Sequence, residues 1–100
     1  MHAVINHLPL HKTTDWPALA LLFQTFEEKT RTAHPAFRGV TLIRVDDDHA
    51  ILVVIFDTRE ALDEISKNVA GPWFAENVRP LLAGAVSRSV GEVIAGSALR

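Results

Sequence analysis

The stretch Ala50 to Phe56, AILVVIF, carries no polar side chain. Its β-branched residues favour a strand, and successive strand side chains point to opposite faces of a sheet. A strand that is apolar on both faces needs cover on both sides, so it belongs inside a sheet and not at an edge. The preceding segment, FRGVTLIRV (Phe37 to Val45), reads as its neighbour. Val40, Leu42 and Arg44 share one face, and Thr41, Ile43 and Val45 share the other. Only the polar turn DDDH (Asp46 to His49) separates the two runs, which predicts an antiparallel hairpin.

The rest of the chain supplies partners for that hairpin. AVINHLPL (Ala3 to Leu10) reads as a strand. A helix follows, with Thr14 or Asp15 as its cap and Pro17 in the first turn, where a missing N–H costs nothing. Its apolar stripe is Trp16, Leu19, Ala20, Phe23 and Phe26, and His34-Pro35 ends it. After the hairpin, Asp57 or Thr58 caps a second helix that Gly71-Pro72 interrupts. Phe74, Val78 and Leu81 then form a core stripe, and Ala85 to Gly96 reads as a last strand. The order β-α-β-β-α-β predicts one α+β domain over residues 1–100. It is ferredoxin-like, with a four-stranded antiparallel sheet, the first and third strands central, and the second helix split at Gly71-Pro72.

Helices can cover only one face of that sheet. Hydrophobic residues make up 48% of the chain, rich for a domain of 100 residues, so the other face needs a cover as well. Each apolar strand residue buried there contributes roughly 1.5–3 kcal/mol. The expected cover is a second copy, giving a symmetric homodimer. The formal charge of −2 gives no footprint for nucleic acid or an anionic membrane, and neither partner is expected. There is no cysteine, which excludes disulfides, thiol catalysis and thiolate metal sites. No apolar run is long enough to span a membrane and no signal-peptide pattern opens the chain, so a cytoplasmic location is the expectation.

The order of elements, the passage IFDTREALDEI and the tail GPWFAENVRPLL…SRSVGEVIAG resemble the antibiotic biosynthesis monooxygenase-like group of the dimeric α+β barrel superfamily. The resemblance spans nearly the whole chain but rests on packing patterns rather than catalytic motifs. It implies a dimeric barrel. It also implies one of several activities found in that superfamily, among them cofactor-independent oxygenation, haem degradation and isomerisation. An asparagine placed like Asn6 on the first strand is one that such enzymes use to hold substrate or oxygen. The haem-degrading pattern needs a tryptophan and a histidine at positions that fall near Ile65 and Phe74 here. Haem degradation is therefore not expected, and no cofactor is.

Two readings stand for each candidate residue. Asn6 shares a strand face with Val4 and Leu8, and a polar side chain there needs a partner. It either lines a pocket between sheet and helices or is a buried amide satisfied locally. Trp73 either stacks on a flat substrate or packs against the first helix or a second subunit. Phe23 and Phe26 would supply apolar pocket walls for a small hydrophobic ligand. His34 is the one general-base candidate, although a histidine also suits the C-terminal end of a helix. His7 falls on the opposite strand face from Asn6, toward the expected dimer interface. The arginines are scattered, and Arg44 either reaches an anionic substrate or pairs with the Asp46 to Asp48 turn. That turn lacks the ligand spacing of a calcium loop, so no metal site is expected. The reading reached is a cofactor-independent monooxygenase acting on a small hydrophobic, aromatic substrate. The alternative is a dimer that binds a ligand or serves assembly without turnover. An isomerase or lyase would need His34 or Glu76 to face the pocket.

Overall fold

AILVVIF lies in the interior of the sheet, as its composition demands. The computed structural model describes residues 1–96. Its elements are β1 (His2–Pro9), α1 (Trp16–Ala33), β2 (Phe37–Asp46), β3 (His49–Phe56), α2 (Arg59–Ile65), α3 (Gly71–Asn77) and β4 (Ser87–Glu92). A π-helical turn (Ser66–Ala70) joins α2 to α3, and a 3-10 turn (Arg79–Leu81) follows α3. The sheet order is β2-β3-β1-β4 with every pair antiparallel, so the first and third strands are central.

The caps follow from side-chain chemistry. Asp15, not Thr14, caps α1: its Oδ1 accepts the Ala18 N–H at 3.0 Å. Thr58, not Asp57, caps α2, accepting the Ala61 N–H at 3.1 Å. Leu19, Phe23 and Phe26 of α1 are buried against the inner sheet face. There they meet Val4, Leu8, Leu52 and Phe56 in two contiguous clusters. Within one cluster Phe37 stands edge-on to both Phe26 and Phe56, and Val40, Val54 and Trp73 pack against both clusters.

The second helix is divided, but not by a break. The backbone stays helical from Ile65 through Gly71. Pro72 has no N–H, and in a regular helix its ring would strike the carbonyl four residues back. The chain accommodates it by widening one turn ahead of the proline, and the Gly71 N–H donates to the Ser66 carbonyl. That carbonyl would lie 2.6 Å from a Cβ at position 71, which is why glycine stands there.

Two sequence expectations are corrected. Leu81 does not complete the stripe begun by Phe74 and Val78. Val78 is fully buried, but α3 ends at Asn77 and the chain tightens into a 3-10 turn at Pro80, which rotates Leu81 to 43% exposure. Leu82 packs on the core instead and bridges to Leu10. The last strand is also shorter than Ala85 to Gly96. β4 pairs only with β1, and that pairing runs from His2↔Glu92 to His7↔Ser87. Ile94, beyond the partner strand, is exposed.

The outer face of the sheet carries Ile5, His7, Thr41, Ile43 and Val45, all exposed, with half-buried Ile51 and Val53 between them. His7 and His49 meet on this face, Nδ1 to Nε2, at 3.1 Å. No described helix is long and apolar enough to cross a membrane.

Candidate active site

Strand parity puts Val4, Asn6 and Leu8 on the inner face of β1, and the register sets Asn6 between Leu52 of β3 and Arg88 of β4. Val4 and Leu8 are buried, but Asn6 is only half-buried because a cavity of about 550 Å³ opens over it. Its floor is the inner sheet face, and its far wall is the π-turn with the start of α3. A cavity of this size suits a compact small molecule. No protein hydrogen bond engages the Asn6 amide among the described residues, so its donors and acceptor remain available to a ligand.

Phe23, Phe26 and Trp73 all line this cavity. Trp73 stands 4.2 Å from Phe26 between ring centroids, tilted by 32°, and 5.5 Å from Phe23 in an edge-on arrangement. Both phenylalanines are buried and fix the half-buried indole. The π-turn is what aims Trp73 there. A widened turn re-phases the residues that follow it, and the Asn77 amide then donates to the Trp73 carbonyl at 3.0 Å.

His34 is not part of this constellation. It is the C-cap of α1, with extended backbone and its N–H donating to the Thr30 carbonyl. It lines a second concavity of about 710 Å³ between α1 and α3, together with Leu21, Lys29 and Asn77. Phe26 and Trp73 border both spaces and form the partition between them. Glu76 is exposed and lines neither. The structure thus brings together Asn6, Phe23, Phe26 and Trp73, and leaves His34 outside.

Four charged side chains also reach the cavity: Asp63, Lys67, Arg79 and Arg88. Asp63 is held by Arg59 at 3.2 Å. Arg44 pairs with Asp47 at 2.7 Å and lies 4.8 Å over the Trp16 ring, so it serves the hairpin and not the cavity. Lys67, Arg79 and Arg88 come from the π-turn, the 3-10 turn and β4, and no sequence periodicity relates them. Among the described residues no group of three or more histidine, cysteine or acidic side chains could hold a metal ion.

No protein-family model and no curated protein matches the sequence. Solved structures do match. Rv0793 from Mycobacterium tuberculosis is 24% identical with a TM-score of 0.72, over 96% of this chain and 97% of that one. SnoaB, a cofactor-independent oxygenase from Streptomyces nogalater, is 13% identical with a TM-score of 0.73, over 96% of this chain and 95% of that one. The heme-degrader MhuD from Mycobacterium tuberculosis, solved with two hemes in its active site, is 19% identical with a TM-score of 0.71, over 96% and 98%. Proteins of Nitrosomonas europaea, Caulobacter crescentus and Deinococcus radiodurans named after antibiotic biosynthesis monooxygenases match as well. Over nearly its whole length, the chain has the ferredoxin-like α+β fold of the antibiotic biosynthesis monooxygenase-like proteins.

Proposed function

We propose that the protein is a cofactor-independent monooxygenase acting on a small, flat aromatic substrate, and that it works as a homodimer. The observation that carries this reading is the half-buried Asn6 amide, without a protein partner, facing an aromatic wall built from Phe23, Phe26 and Trp73. The substrate ring stacks on Trp73, and Asn6 donates to the oxygen on which negative charge develops. An electron-rich anion of this kind can reduce dioxygen itself. For a ring methylene, one oxygen atom becomes the new carbonyl and the other leaves as water with the two methylene hydrogens, so no external reductant enters the balance. The apolar lining keeps bulk water from the reacting carbon.

The likeness in fold to SnoaB supports this reading. A haem does not fit. Among the described residues the lining holds no histidine, cysteine, methionine or tyrosine to ligate iron, and the tryptophan and histidine of the haem-degrading pattern would fall near Ile65 and Phe74. The dimer rests on the outer sheet face, where Ile5, Ile43 and Val45 are between 37% and 49% exposed around half-buried Ile51 and Val53. A second copy packed there would bury them.

A second reading, ligand binding without turnover, is favoured by one observation. Among the described lining residues the only carboxylate, Asp63, is already engaged by Arg59, and no histidine is there to take a proton. Oxygen-electrode assays with anthrones and polyphenols separate the two. Substrate-dependent oxygen uptake that collapses in Asn6→Ala supports the oxygenase. Saturable binding with no uptake for any compound supports the binding protein.

A further inference from the structure

The arginines among the described residues divide into two groups. Arg31, Arg38, Arg44 and Arg59 each pair with a carboxylate, Glu27, Asp57, Asp47 and Asp63 respectively. Arg79 and Arg88 pair with none among the described residues, and both line the cavity, as does Lys67, also without an ion pair. The chain carries more acidic than basic residues, so unpaired cations gathered at one cavity are not a by-product of a basic composition. The one acid beside them, Asp63, is neutralised by Arg59.

From this we infer that the ligand of the cavity is an amphiphilic anion: a flat apolar body bearing a carboxylate, read by Lys67, Arg79 and Arg88. This rests on the cavity over Asn6 being the ligand site. The body lies on Trp73, with Asn6, Val4 and Leu52 beneath it. The carboxylate stays at the rim, where the three exposed cations keep their own hydration and reach it without burying an unpaired charge. A guanidinium matches the two oxygens of a carboxylate through parallel N–H donors. A phosphate would ordinarily be cradled by open backbone N–H groups at a helix start. Here the helical backbone runs unbroken from the π-turn into α3, Gly71 donates to Ser66 and Pro72 has no N–H, so that cradle is closed. The fixed positive charge of the three cations also offsets the repulsion that the carboxylate would otherwise oppose to a second ionisation of the ligand.

The test is a calorimetric titration with matched probes: 2-naphthoate, its neutral isostere 2-naphthamide, and 2-naphthyl phosphate. The proteins are the full chain and the double variant Arg79→Gln/Arg88→Gln, which alters exposed residues only. The expected result is naphthoate binding about tenfold tighter than naphthamide at low salt, the lower end of what charge-assisted hydrogen bonds supply. In the variant that preference falls below about threefold while naphthamide affinity is unchanged. Equal binding of acid and amide overturns the anion assignment and leaves the cavity in place. Tighter binding of the phosphate overturns the choice of carboxylate. Binding of none of the three overturns the cavity reading, and this inference with it.

Discussion

Replacing Gly71 with alanine should destabilise the protein, although the same change in an ordinary helix does the reverse. Alanine is favoured over glycine by about 1 kcal/mol inside a helix. Gly71 has ordinary helical dihedrals, φ −60 and ψ −53, so no backbone penalty opposes the change. What opposes it is the Ser66 carbonyl, 2.6 Å from the new Cβ, against about 3.4 Å where ordinary contact begins. One of the two must move by roughly 0.8 Å, and the carbonyl belongs to backbone that also accepts the Gly71 N–H. Overpacking of this kind costs about 1–3 kcal/mol; less the propensity gain, the net loss is about 0–2 kcal/mol, centred on about 1 kcal/mol. For a chain this size a loss of about 1 kcal/mol lowers the melting temperature by about 4–8 °C. Thermal and urea unfolding at one fixed protein concentration measure it. Gly84→Ala is the control, since its Cβ would meet Pro9 at 3.6 Å, an ordinary contact. A Gly71→Ala protein as stable as its parent, or more so, would refute the π-turn account.

Val78→Ala should cost about 2 kcal/mol by urea unfolding, whereas Leu81→Ala should stay within about 0.5 kcal/mol, because only Val78 is buried. Trp73→Ala should remove the partition between the two concavities and weaken aromatic binding at least about tenfold in a fluorescence titration that reads Trp16. A double-mutant cycle between Phe26 and Trp73 should return a coupling of about 0.5–1.5 kcal/mol. Ile43→Glu, on the outer sheet face, should yield monomers by sedimentation velocity if two copies pack there; an unchanged dimer would place the interface elsewhere.

The sheet was legible because strand parity is a strong local signal. AILVVIF fixed the central strand, and the same parity aimed Asn6 inward and His7 outward. The helical stripe likewise placed Phe23 and Phe26. His34-Pro35 marked the end of α1, but which groove that end borders was not readable from the sequence; the fold sets His34 at the concavity between α1 and α3. Leu81 misled because the α period was carried through a 3-10 turn. The cationic rim was not legible at all. Lys67, Arg79 and Arg88 come from separate elements, and only the fold brings them to one opening. The His7–His49 contact is similar, made by the β1–β3 register over a long sequence separation.

The central claim is that a ligand sits on the Asn6 amide and beside Trp73. The direct measurement is a nitrogen-15 NMR titration with 2-naphthoate, following side-chain signals and assigning the Asn6 amide by its loss in Asn6→Asp. The account predicts saturable shifts of the Asn6 amide and the Trp73 indole together, with the His34 ring unmoved. Shifts confined to His34 and the neighbouring groove, with Asn6 silent, would contradict it.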